Sequence, residues 1–191
     1  LKVFMDGALG PHTAAMLAPY RDDPNNSGLL IMDGRQLFEK YGRVCVDNGL
    51  NLAVHAIGDR ANREALNGLE RMRAYESETF RRPLRHRMEH VQLIQPVDAS
   101  RLARLHVTAS VQPIHATSDM EMADALWGER TAWAYQYRTL AGHGTRLAFG
   151  SDSPVESPNP FRGIHAAVTR RRTDGSPGPS GWHPEQRISL E

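Results

Sequence analysis

The stretch "NLAVHAIGDRANREALNGLERMRAY" (51–75) decides the fold. It opens with a short apolar run, 51–56, that reads as a β-strand. After "IGD" the period changes, and Ala61, Ala65, Leu69 and Met72 fall on one stripe of a helix. A strand passing directly into an amphipathic helix is half of a βαβ unit. Four further runs have the same β-like character: "KVFM" (2–5), "LRHRMEH" (84–90), "HVTASVQ" (106–112) and "RLAFGS" (146–151). Helical patterns lie between them. Residues 34–48 place Leu37, Tyr41, Val44 and Cys45 on one face, between a start signal at Asp33 and a stop at Gly49. Residues 97–105 follow Pro96, the stretch 119–141 predicts two helices broken near Gly128, and a last helix follows Pro160. The Gly/Pro/Ser-rich segment 170–185 reads as a surface loop, and "PEQRISLE" (184–191) as the start of a helix. Five strands alternating with helices predict an α/β fold with a parallel sheet, open or part of a barrel.

Composition narrows the function. The chain has 191 residues, enough for one domain with a core. Lys and Arg number 23 against 22 Asp and Glu, so no net field favours nucleic acid or an anionic membrane. The basic runs "FRRPLRHR" (80–87) and "TRRRT" (169–173) read as solvated faces. No apolar run approaches the roughly 20 residues of a membrane span. The single cysteine, Cys45, sits on the apolar face of a helix, excludes an intramolecular disulfide, and fits a reducing, cytoplasmic setting. Phosphate-loop and G-x-S-x-G nucleophile motifs are absent.

The nine histidines matter by position. Parallel α/β folds place their chemistry at the carboxyl ends of strands. Here "LAVH" ends on His55, "RHRMEH" on His90 and "LAFGSD" on Asp152, while "LKVFMDG" carries Lys2 within its strand and Asp6 at its end. Taken singly, each has a plain structural reading: a core histidine, a turn or cap aspartate, a solvent lysine. Taken together they form a ligand set of imidazole and carboxylate suited to a borderline divalent ion such as zinc. His115 lies just past a strand end, where it and Asp6 could face a substrate. Glu89 is a candidate to orient His90, whereas His86 and His106 read as structural.

The series "KVFMDGALG" (2–10), "TAAMLAPY" (13–20), "VHAIGDRAN" (54–62), "RHRMEHVQL" (85–93), "SVQPIHATSD" (110–119) and "LAFGSDSPVESPNPFRGIHAAVTR" (147–170) resembles the YtcJ-like branch of the amidohydrolase superfamily, amidohydrolase family 3, which is related to N-substituted formamide deformylases. "PHTA" (11–14) departs from the Ser-Arg that often precedes "TA" in that family. The resemblance implies a metal-dependent hydrolase on a (β/α)8 barrel with two metal ions. Lys2 matches the bridging lysine, often carboxylated. His55 and His90 match ligands of the second metal, and Asp152 matches the aspartate that both binds metal and activates the attacking water as general base. The family's HxH motif and its small β-sandwich find no counterpart in the 191 residues. The expectation is therefore a partial (β/α)8 TIM barrel, strands four to eight, cut at both ends, with at most one well-formed metal site. The implied parent reaction is hydrolysis of a C–N bond in a small amide or formamide. Low or no activity is expected of the chain by itself. The alternatives are a non-catalytic ligand-binding or assembly fragment and a hydrolase of C–O or P–O bonds. Exposed sheet edges predict a homo-oligomer.

Overall fold

In a computed structural model the structure describes residues 1–79 and 82–190. Phe80 and Arg81 of the first basic run, and Glu191 of the last segment, lie outside the described residues. All five expected strands form: β1 (Lys2–Phe4), β2 (Ala53–Ala56), β3 (Arg87–His90), β4 (Thr108–Val111) and β5 (Leu147–Phe149). They pair in parallel in chain order, β1-β2-β3-β4-β5, as consecutive strands of a partial barrel do. Every residue of β2 is buried, as a strand covered on both faces must be.

The helices between strands are α1 (Gly34–Leu37), α2 (Arg43–Asp47), α3 (Asp59–Glu78), α4 (Pro96–Arg104), α5 (Pro113–Ser118), α6 (Met120–Trp127) and α7 (Tyr137–Gly142), and α8 (Pro160–Thr169) follows β5. Asp33 starts α1 with a reciprocal capping box to Gln36. A π-helical turn, Phe38–Gly42, joins α1 to α2. Its extra residue advances the helical phase, so Val44, expected on the apolar stripe, is 53% exposed and Val46 is buried beside Cys45 instead. The stripe of α3 is as read: Ala61, Ala65, Leu69 and Met72 are fully buried. The break near Gly128 is a 3₁₀ turn, Gly128–Trp133, entered at φ +58°. The short helix α5 has no counterpart among the helices read from the sequence.

Two expectations at the C-terminal end are corrected. "TRRRT" is not a solvated face: Arg170 is wholly buried, with its guanidinium over the rings of Tyr137 and Trp182 and donating to the carbonyls of Trp182 and Tyr135. "PEQRISLE" does not begin an α-helix but forms a single 3₁₀ turn, Pro184–Gln186.

The segment between β1 and α1 forms no regular element, yet it packs down. Ala14, Ala15, Met16 and Tyr20 are buried, and Tyr20 donates to the Ala14 carbonyl at 2.8 Å. Gly58 allows this closeness: a Cβ there would lie 2.0 Å from the Ala15 carbonyl oxygen.

Candidate metal centre and catalytic cavity

The carboxyl ends of the five strands open into a cavity of about 380 Å³. Lys2, His55, His90, Asp152 and His115, read from the sequence as site residues, all line it. Phe4, Leu9, Ile57, Met122 and Val155 give it apolar walls.

Register brings the histidines together. His55 sits one residue from the end of β2, and Ala56 pairs with His90 at the end of β3. The two rings meet edge to face with centroids 4.6 Å apart. The chain turns sharply after β3, with positive φ at His90 (75°) and Val91 (47°). A β-branched residue rarely adopts such a φ, and strain of this kind concentrates at functional sites. Asp152, just beyond β5, also has a positive φ of 54°.

Hydrogen bonds fix both tautomers. The Gly7 carbonyl accepts from His55 Nε2–H at 2.8 Å, leaving Nδ1 as the lone-pair nitrogen. Gln112 Oε1 accepts from His90 Nδ1–H at 2.8 Å, leaving Nε2. Burial lowers the pKa of His55; burial, and then the neighbouring His55, lowers that of His90 to about 4. Both rings are therefore neutral at pH 7, the state in which an imidazole binds a metal. A ring held through one nitrogen by an oxygen acceptor, with the other nitrogen lacking a protein partner, is the arrangement of a metal ligand. Two such rings in one cavity fit a borderline divalent ion. Among the described residues, however, no group of three or more His, Cys, Asp or Glu is close enough to hold one. Lys2, whose ammonium lies 5.1 Å from the Phe4 ring centroid, and Asp152 line the same cavity.

Two expectations about supporting residues change. Glu89 does not orient His90; it pairs with Arg87, and Gln112 from the end of β4 takes that position. Asp6 does not line the cavity. Its Oδ1 accepts from the Ile57 N–H, and its Oδ2 from Ala15 and Gly58, so backbone donors occupy the carboxylate. Burial pushes its pKa up to about 7 against these three bonds. The 3.6 Å approach of His55 Nε2 to Asp6 is not an ion pair, because that imidazole is neutral. Asp6 thus ties the irregular segment to the β2–α3 turn and leaves Gly7 placed to hold His55.

His115 is buried on α5, its ring nearly parallel to that of His90 at 6.1 Å. Gln92, Asp119 and Glu156 also line the cavity and were not singled out from the sequence. Glutamine and lone carboxylates in such motifs carry no local signature. Only the position of Gln112 immediately after a strand could have pointed to it.

The sequence profile of the amidohydrolase family matches residues 1–191. The chain is 38% identical over 192 aligned residues to Protein LONG AFTER FAR-RED 3 of Arabidopsis thaliana, covering 100% of this chain and 32% of that protein. It is 35% identical over 182 residues to YtcJ of Bacillus subtilis (strain 168), covering 94% and 33% respectively. A crystal structure of an uncharacterised metal-dependent hydrolase from Pyrococcus furiosus superposes with a TM-score of 0.80 at 35% identity, over 99% of this chain and 36% of that one. The chain thus spans about a third of the length of these relatives. With the profile matched from end to end, the chain belongs to the amidohydrolase family.

Proposed function

We propose that these residues form part of the active site of a metal-dependent hydrolase that cleaves a C–N bond of the amide or formamide type in a small molecule. The observation that carries this reading is the pair of neutral imidazoles, His55 and His90, each fixed through one nitrogen with the other making no hydrogen bond among the described residues. His55 Nδ1 and His90 Nε2 would hold the ion, zinc by the softness of the donors, with Lys2 joining them if its amine is carboxylated. The ion supplies Lewis acidity toward a carbonyl and toward water. Asp152, exposed at the cavity, takes the proton from the attacking water and returns it to the leaving nitrogen. The apolar wall of Phe4, Leu9 and Val155 seats the substituent and excludes competing water.

Calorimetric titration of the 191-residue chain with zinc, beside His55→Ala and His90→Ala, tests the metal centre. Binding in the wild type and its loss in both variants is expected; equal binding in all three would refute it. The reaction is tested by amine release from a panel of formamides and acetamides, with an ester and a phosphotriester included because C–O and P–O hydrolases use the same ligand chemistry. Slow or undetectable turnover by this chain alone, and C–N cleavage by a longer chain that contains it, is the expected pattern. Preference of the longer chain for the ester or phosphotriester would overturn the C–N assignment.

A further inference from the structure

With the proposed metal residues set aside, two carboxylates remain on one wall of the cavity, Asp119 and Glu156. Asp119, at the C-terminal end of α5, accepts from the Tyr135 hydroxyl through Oδ2 at 2.7 Å. Glu156, on the segment after β5, accepts from the Ser118 hydroxyl through Oε1 at 2.5 Å. Each is braced on one oxygen and keeps the other without a protein hydrogen bond among the described residues. Neither forms an ion pair among the described residues; Arg162, Arg171 and Arg172 line a neighbouring cavity together with Glu156, and Arg172 is engaged by Glu121. Burial raises the pKa of Asp119; the Tyr135 hydrogen bond, and then the nearby His115, oppose this, and the charge of Glu156 adds to it. Like charges on one wall of a partly desolvated cavity repel, and a cation relieves that repulsion.

A second observation is independent of these carboxylates. Gln92 and His115, 5% and 7% exposed, line the same cavity and meet through Gln92 Nε2 and His115 Nδ1 at 3.4 Å. Gln92 Oε1 and His115 Nε2 are left buried with no partner among the described residues. If the Gln92 amide were turned over, His115 Nδ1–H would donate to its oxygen, and the amide nitrogen and His115 Nε2 would be left instead. Either way the pair retains one spare donor and one spare acceptor. Buried polar atoms seldom remain unpaired, so such a pair in a cavity wall points to a ligand.

We propose that Asp119 and Glu156 form a subsite for a protonated amine carried by the substrate, with the Gln92–His115 pair providing the polar surface beside it. The inference rests on the hydrolase reading for the purpose of the cavity. It adds a specificity that the metal residues do not supply: the hydrolysed molecule bears a cationic group on an apolar body, the latter against Leu9 and Met122.

The test uses benzylammonium as the probe and benzyl alcohol as its neutral counterpart. Both are titrated into the 191-residue chain at pH 7 and low salt, followed by calorimetry and by the imidazole NMR signals of His115. Benzylammonium is expected to bind about fivefold or more tightly than the alcohol, as an ion pair of modest strength provides. The preference should shrink in Asp119→Asn and in Glu156→Gln, and the His115 signals should move. Glu156 lies on a segment outside the core, so its variant keeps the test valid if Asp119→Asn does not fold. Equal binding of the two probes, or a preference lost only in Asp152→Asn, would overturn the proposal. Zinc titration of the same samples separates the two readings. Amine preference without zinc binding removes the hydrolase reading and leaves the subsite, whereas zinc binding without amine preference removes the subsite alone.

Discussion

His55 donates through Nε2 and His90 through Nδ1, so the two rings present different nitrogens to one cavity. Neither choice is a property of histidine itself; each follows from the acceptor that tertiary contact provides. Gln112 therefore acts as a positioning residue for His90. Gln112→Leu is expected to weaken zinc binding by about 10–100-fold, the usual range for a lost outer-shell partner. Nitrogen NMR of the His90 imidazole should at the same time show a mixture of tautomers. Unchanged affinity and a single tautomer would exclude the role. His86 illustrates the opposite fate of a histidine. It is fully buried, accepts from the Leu52 N–H through Nδ1 and donates to Glu76 through Nε2. Burial, and then Arg73, lowers its pKa. A histidine whose folded pKa is depressed contributes stability that is present above its unfolded pKa of about 6.5 and is lost as pH falls through the lower folded value. His86→Gln should cost about 1–3 kcal/mol at pH 7 by leaving buried polar groups unpaired. The difference between wild type and variant should narrow below pH 6.5 in denaturant titrations, and a gap independent of pH would contradict this.

At the scale of elements, the strands and most helices were legible because their periods differ. The sheet needs short apolar runs and the helices need stripes, and both patterns are local. The π-helical turn at Phe38–Gly42 was not legible. An extra residue in a helix leaves no composition signal, and its effect is a change of phase: Val44 outward, Val46 inward. Val44→Asp should therefore change stability by no more than about 0.5 kcal/mol, while Val46→Asp should cost more than about 3 kcal/mol by burying an unpaired charge. Thermal denaturation of the two variants decides it, and comparable losses would place both residues in the core. Arg170 was missed for a related reason. Its neighbours Tyr137 and Trp182 are distant in sequence, and only tertiary packing turns a nominal surface arginine into a buried stacking cation.

At the scale of the whole molecule, β1 and β5 each pair on one side only within the described residues. Phe4 and Phe149 on these outer strands are exposed, and an apolar groove lined by Phe149, Pro158 and Ile164 runs beside β5. Unpaired strand edges with apolar neighbours favour association. The 191-residue chain should therefore form dimers or larger species with rising concentration in sedimentation velocity. A monomer that persists to the solubility limit would count against this.

The sequence by itself determined the α/β class, the five strands, the family, and the residues to examine at the strand ends. These follow from local periodicity and from motifs that survive in one dimension. Only the tertiary structure decided which of those residues share a cavity and in what state. It removed Asp6 from the cavity and gave it to three backbone N–H groups. It replaced Glu89 by Gln112 as the partner of His90, and it brought Asp119 and Glu156 to face the same space. Strand register, burial and the closing of one segment over another set these outcomes, and they couple residues dozens of positions apart, so no local pattern records them.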